Sequence, residues 1–323
     1  MRAVITGAAG FLGTLLAKQL LSGPVAAGGA AATQVSELVL TDLVAPKTDL
    51  ARNPRVRVLV GDLAAVLNDL GDPDIVFHLA GVVSGAAEAD FDLGMHTNID
   101  GVRALLEWAR MRKTPPVLLF TSSLAVFGSD PAIGPIGEVD DDTLPRPQSS
   151  YGIQKFIGEQ LVADYTRRGF VRGRSVRLMT VAVRSGRPNA AASSFMSSII
   201  REPLAGSRAT CPVPPDTPIA LSSPGRTVEG ILRASAVGDA QWGSRTAMNL
   251  PALTTTPHEM AAALDRVTGE RTSALIDWVD DPGIRAIVDA WPARFITERA
   301  ASLGLTPETS FDDVVRQYLE TVA

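Results

Sequence analysis

Two residues of this chain could form an acid–base pair by their spacing alone. Tyr151 and Lys155 stand four apart in Ser150-Tyr151-Gly152-Ile153-Gln154-Lys155, after a loop broken by Pro145 and Pro147. Ile153, Phe156, Ile157 and Leu161 recur there at helical intervals, so both groups should lie on one face of one helix. Residues four apart on a helix are neighbours, and a Lys155 ammonium beside the Tyr151 phenol would stabilise its ionised form. A unit charge about 4 Å away at an effective dielectric near 20 contributes roughly 4 kcal/mol. That is enough to lower a phenol pKa that starts near 10 by about three, and Tyr151 is expected to serve as a base near neutral pH. The same spacing also fits a solvated lysine beside a half-buried tyrosine, and the rest of the chain decides between the two.

The elements that would position this pair are short apolar runs alternating with helices. Val4-Ile5-Thr6, Leu38 to Asp42, Val56 to Asp62, Ile75 to Gly81, Val117 to Ser123 and Ser175 to Thr180 read as six strands. Helical periodicity covers about Thr97 to Arg112 and the segment that begins at Tyr151. Such a pattern implies a doubly wound α/β fold, a parallel sheet covered on both faces, with ligands at the carboxyl ends of its strands. Asp42, Asp62, Gly81, Ser122, Ser123 and Thr180 gather at those ends. Ser22 to Thr33, rich in Gly and Ala, reads as an inserted surface loop without a functional role. Beyond about Arg184 the segments are short and Pro-interrupted. Val237 to Pro251 and Thr256 to Val267 look like a strand and a helix, and Phe311 to Val322 like an amphipathic helix. The expected division is residues 1–183 as a dinucleotide-binding domain and 184–323 as a smaller substrate lobe, some of whose segments return to the first.

Gly7, Gly10 and Gly13 form a G-x-x-G-x-x-G loop between the first strand and a helix striped by Leu12, Leu15, Leu16 and Leu20. Glycine permits the tight turn and lets the backbone approach a pyrophosphate, which the helix N-terminus meets with free N–H donors. Asp42, ending the next strand, would accept hydrogen bonds from the adenosine ribose hydroxyls and repel a 2′-phosphate, which predicts NAD over NADP. Asp62-Leu63 could place a carboxylate at the adenine amino group or could cap a helix. Thr121-Ser122-Ser123 ends a strand beside the crevice, where a hydroxyl could hold a reacting oxygen next to Tyr151 or merely cap a turn. Asn98 is a candidate for orienting the Tyr151 helix or a buried structural amide. His78 sits in an apolar strand as a core histidine.

Composition narrows the classes. The 323 residues carry a net charge of −5, 46% apolar and 20% charged residues, with arginine scattered and no basic stripe. Nucleic acid and acidic membranes are therefore unexpected partners. The N-terminus enters a strand without a leader-like pattern and no run is long enough to span a bilayer, so a cytoplasmic protein is expected. Cys211 is the single cysteine, a loop or core filler, and His96 and His258 lack companions at metal-ligand spacing, so no metal is expected.

Together these residues resemble the extended short-chain dehydrogenase/reductase superfamily. The likeness runs through Thr6 to Gly13, Asp42, Asp62-Leu63, His78-Leu79-Ala80-Gly81, Asn98, Thr121 to Gly128 and Tyr151 to Lys155, in order over the first 180 residues. It implies an NAD-binding Rossmann domain in which Tyr151 is the acid/base, Lys155 lowers its pKa and binds the nicotinamide ribose, and Ser123 orients the substrate. It further implies cofactor contacts from Gly7, Gly10, Phe11, Leu12, Asp42, Asp62, Leu63, Leu79, Ala80, Gly81, Asn98, Ser122 and Thr180, and a homodimer formed through the Tyr helix and the helix before the fifth strand. Phe127 stands where many sugar-nucleotide enzymes of the superfamily carry Tyr.

After the sixth strand the chain reads Thr180-Val181-Ala182-Val183-Arg184-Ser185-Gly186-Arg187-Pro188-Asn189, not the Tyr-Gly-Pro-Arg pattern of many epimerases and dehydratases. With Ala191 to Phe195, Ile200 to Leu204 and Leu221 to Gly230, this stretch resembles the D-erythronate dehydrogenase branch, whose members oxidise a four-carbon sugar acid at C2 with NAD. A small hydroxy acid needs a carboxylate anchor, which arginine can supply bidentately. Arg184, Arg187, Arg201 and Arg226 are the candidates, each with an ion pair at the surface or an interface as its alternative, and Ser194 joins them as a substrate contact by resemblance. Two other readings stay open: an NAD-retaining sugar-nucleotide or uronate 4-epimerase/dehydratase, and a non-catalytic NAD sensor.

Overall fold

The computed structural model describes residues 1–46, 49–186 and 191–322. The apolar runs form a seven-stranded sheet, and every pair in it is parallel. Strands β1 (Arg2–Thr6), β2 (Glu37–Asp42), β3 (Val56–Val60), β4 (Ile75–His78) and β5 (Val117–Ser123) alternate with helices α1 (Phe11–Ser22), α2 (Leu63–Val66), α3 (Ser84–Ala89), α4 (Phe91–Met95) and α5 (Gly101–Ala109). A short β6 (Glu138–Val139) and the long α6 (Ser150–Arg167) lead to β7 (Arg172–Leu178). The spatial order is β3-β2-β1-β4-β5-β7, with Met248–Asn249 at the far edge. The order reverses between β1 and β4, and the crevice outside their carboxyl ends is where such sheets take ligands.

Both faces of the sheet are covered, which explains why its strands read as continuous apolar runs and not as alternation. Leu16, Ala17 and Leu20 of α1 pack with Ile231 and Ala234 on one face; Leu105, Leu106 and Trp108 of α5 pack with Val162 of α6 on the other. A separate core joins α7 (Phe195–Leu204) to the helices Pro257–Thr268 and Phe311–Val322 through Ile199, Ile200, Leu264, Phe311 and Val315. Among the described residues no helix is long and apolar enough to cross a membrane.

Two expectations change. The sixth strand ends at Leu178; buried Met179 packs with Leu124 and Ala220, and β8 (Thr180–Val181) then pairs with Ile219–Ser222 in a second, three-stranded sheet. The segment from Val237 to Pro251 holds a helical turn, Asp239–Trp242, before its strand, Met248–Asn249. The Gly/Ala-rich loop after α1 lies at the surface, as its composition implies, and is docked there. Gly28 and Gly29 N–H groups donate to Ser235 and Ala236 carbonyls, and Ala27 is buried in the core.

Candidate active site

The glycine loop is shaped by close approach. Gly7 has φ +73°, and a Cβ there would meet the Ala80 nitrogen at 2.6 Å; a Cβ on Gly13 would strike the Gly7 carbonyl. The loop thus lies directly on the end of β4, and α1 starts from Gly10 with no side-chain cap and no acidic residue in its first turn. Its first N–H groups are therefore open to an anion. At the end of β2 the Asp42 carboxylate accepts from Ala9 N at 2.9 Å and from Leu43 N at 2.7 Å, tying the loop to the strand.

One crevice of about 320 Å³ runs from this loop to the second sheet. Gly7, Gly10, Phe11, Leu12, Leu79, Gly81, Ser122, Ser123, Tyr151, Lys155, Thr180 and Arg184 all line it. Ser149 caps α6 by accepting from Gly152 N at 3.2 Å, a contact worth about 1 kcal/mol, and this fixes the turn that presents Tyr151. The Lys155 Nζ lies 5.8 Å from the centre of the Tyr151 ring and 5.0 Å from that of Phe120, and it donates to the Thr121 carbonyl at 3.0 Å.

This geometry corrects the expected tuning of the phenol. Burial pushes Tyr151 up to about 12, and the groups that work against the rise are the Ser123 hydroxyl and the Arg184 guanidinium, not Lys155. The ammonium is instead held on Thr121, and its own burial pushes it down to about 8 while the Glu159 carboxylate pulls it back up. His78 is a core histidine. Its Nδ1 bonds the Thr6 hydroxyl at 2.7 Å, and burial, aided by the Lys155 charge, drives it down to about 3.

Several residues named from the sequence are spent elsewhere. Ser122 points across the strand and donates to Glu159 Oε1 at 2.5 Å, so only its backbone faces the crevice. Asp62 caps α2 through Ala64 N at 2.9 Å and meets His96 Nε2 at 3.3 Å. Asn98 uses its amide on Val82 N at 2.9 Å and Gln154 Oε1 at 2.8 Å, so it orients α6 and the loop after β4 without a free group to offer a ligand.

Of the arginines, Arg184 reaches the crevice, and its guanidinium has no carboxylate partner among the described residues. Arg201 instead donates to the Arg184 carbonyl at 2.8 Å and to Glu202 at 2.6 Å, and Arg226 pairs with Glu229 at 2.8 Å on the surface of α8 (Pro224–Ala236). Arg187 lies outside the described residues. Ser194 sits in a helical turn, and its neighbour Ser193 lines the crevice in its place. Cys211 is buried and its thiol is pushed up to about 11 by burial.

The sequence reading missed the cluster behind Lys155. Glu159, one turn further along α6, is 2% exposed and receives a two-pronged bond from Arg177 at 2.9 and 2.8 Å. The spacing of Lys155 and Glu159 and the arginine inside an apolar strand were available signals. Trp291 also lines the crevice, and nothing in its surroundings in the sequence marks it.

Residues 3–218 match the model of the NAD dependent epimerase/dehydratase family. The chain belongs to this family. It is an enzyme of the family's dehydrogenase kind, with NAD as cofactor, and it is 48% identical to the D-erythronate dehydrogenase of Cupriavidus necator over 99% of this chain and 98% of that one. The D-erythronate dehydrogenase of Haemophilus influenzae is 40% identical, with 99% of each chain covered. Among solved structures, the nucleoside-diphosphate-sugar epimerase from Agrobacterium tumefaciens superimposes with a TM-score of 0.89 at 36% identity, covering 99% of this chain and 94% of that chain. The residues present fit the cofactor: the uncapped α1 N-terminus and the glycine cradle suit a pyrophosphate, and Asp42 ends β2 beside that loop.

Proposed function

We propose that the protein oxidises a small sugar acid at C2, most concretely D-erythronate to 2-oxo-tetronate. The observation that carries this reading is the Arg184 guanidinium, without a carboxylate partner among the described residues and close to Tyr151 in a small crevice, in a chain 48% identical to a D-erythronate dehydrogenase. NAD, when bound, accepts the hydride from C2. Tyr151 takes the proton of the C2 hydroxyl, so that the C–O double bond forms as the C–H bond breaks. Ser123 holds the reacting oxygen, Lys155 stabilises the phenolate as it forms, and Arg184 pairs with the carboxylate. The proposed division of labour keeps residues 1–183 for the cofactor and 184–323 mainly for the substrate.

The test is NADH formation with NAD and a panel of four- to six-carbon aldonates and uronates. A rise with D-erythronate that is absent with its C2 epimer is expected. No rise with any acid would overturn the reading. The likeness to a nucleoside-diphosphate-sugar epimerase supports a second reading, in which the hydride returns to the substrate. That reading requires interconversion of UDP-sugars without net NADH.

We also propose a cytoplasmic homodimer formed through α6 and α5. Ile153 and Ile157 on α6 are 47% and 38% exposed, and Phe91 on α4 is 60% exposed, an apolar surface that a second copy would cover. Light scattering that shows only monomer would refute the dimer.

A further inference from the structure

The crevice ends at a side chain that comes from far along the chain. Trp291 follows the helix Pro282–Asp289, and its backbone N–H donates to the Val288 carbonyl at 3.1 Å. Its indole is partly buried against Leu124, Met179 and Ala220. Leu124 follows the substrate-orienting Ser123 and Met179 precedes Thr180, so the indole is seated on the two strand ends that frame the reacting centre. The ring also walls a void of only about 10 Å³, together with Leu124, Thr180, Ala220, Val288 and Pro292. A water needs about that much space, so this void is far too small to take the indole. Close-packed walls reject extra volume by clash and not by lost attraction.

We propose that Trp291 sets the upper chain length of the acid, by occupying the volume that a fifth and sixth carbon would need. This inference rests on the reading of the substrate as a small hydroxy acid. Arg184, Tyr151 and Trp291 line one crevice, so an acid with its carboxylate on Arg184 and C2 at Tyr151 must share the remaining volume with the indole. A four-carbon acid ends before the ring, whereas each further hydroxymethylene must displace it. Trp291 is a specificity residue and takes no part in the chemistry.

The experiment compares the full-length native protein with Trp291→Phe and Trp291→Ala, using four- and six-carbon D-aldonates of matching C2 configuration and NAD. In Trp291→Ala the ratio of kcat/KM for the six-carbon acid to that for the four-carbon acid is expected to rise tenfold or more, with Trp291→Phe between the two. A ratio within twofold of native in folded variants overturns the proposal. Should Trp291→Ala fail to fold by circular dichroism, the ratio in Trp291→Phe decides. Calorimetric titration of the NADH complexes with the same two acids separates this inference from the reaction it rests on. Tighter binding of the four-carbon acid by native protein, lost in the variants, supports the wall even if no acid is oxidised, and then only the dehydrogenase reading falls. Equal binding of the two acids by native protein overturns the wall even where the four-carbon acid is turned over.

Discussion

Replacing Arg184 by Gln tests the centre of the proposed chemistry. The guanidinium is half-buried at the crevice, its backbone is held at both ends, by Ser197 Oγ on its N–H at 3.0 Å and by Arg201 on its carbonyl at 2.8 Å, and no acidic side chain among the described residues pairs with it. A hydrogen bond to a charged group contributes about 1.5–3 kcal/mol, and a two-pronged carboxylate pair has two of them. After desolvation, a net loss of about 3 kcal/mol on truncation is a reasonable scale, and each 1.4 kcal/mol is tenfold. Arg184→Gln should therefore lower kcat/KM for the acid on the order of 100-fold, mostly through KM. NAD affinity, read by titration calorimetry, should stay within about twofold, because the glycine loop and Asp42 are untouched. Arg226→Ala supplies the control. Its partner is Glu229 on the same exposed helix face, and it should leave kcat/KM within twofold. A loss below threefold in Arg184→Gln, or an equal loss in Arg226→Ala, would refute the assignment of the anchor.

Tyr151→Phe keeps the ring and removes the proton acceptor; kcat should fall by about 10²–10⁴ with NAD binding nearly intact, and appreciable residual turnover in rapid-mixing assays would take Tyr151 out of the mechanism. Asp42→Ala should narrow the preference for NAD over NADP, measured as the ratio of kcat/KM values; an unchanged ratio would count against the ribose contact. His78 predicts acid sensitivity. Its pKa falls from 6.5 to about 3 on folding, so between those values the unfolded state binds the extra proton and stability drops as pH falls, by roughly 1.4 kcal/mol per pH unit. Urea unfolding between pH 7 and 4.5 should show a steeper loss for native protein than for His78→Gln, and parallel slopes would exclude His78 as the cause.

The fold was legible because its signals are local. Val4-Ile5, Leu38-Val39-Leu40 and Val117-Leu118-Leu119-Phe120 could only be strands buried on both faces, and the glycine loop could only sit where strand meets helix. The alternation of strands and helices then left few topologies. What was illegible depends on partners distant in sequence. Ser122 and Ser123 are chemically alike, and only the pleat, with Glu159 waiting on one side, decides which hydroxyl reaches the crevice. Arg201 was removed from the candidates by Glu202 and Arg226 by Glu229, and the second is an i,i+3 pair that the sequence did display. Trp291 could not be found at all, because its role exists only where the last third of the chain folds back onto Leu124 and Met179.

The raised phenol sets a requirement on the proposed chemistry. Ionising a group with a pKa of about 12 at pH 7.5 costs roughly 6 kcal/mol. An ammonium brought from the Thr121 carbonyl to about 4 Å from the phenolate would return roughly 4 kcal/mol at an effective dielectric near 20. Below pH 8 Lys155 retains the charge to do so, and Glu159, itself anchored by Arg177 and Ser122, is what keeps its pKa from falling further. Ser123 and Arg184 already act within that value of about 12, so the remaining balance of about 2 kcal/mol must come from outside the resting site, chiefly from the positive charge of bound nicotinamide. A substrate carboxylate on Arg184 weakens that guanidinium's pull on the phenol, so anchoring the acid and ionising the base draw on the same charge. The proton should therefore leave Tyr151 for solvent before the acid is seated, and the substrate's own hydroxyl proton replaces it as the hydride departs.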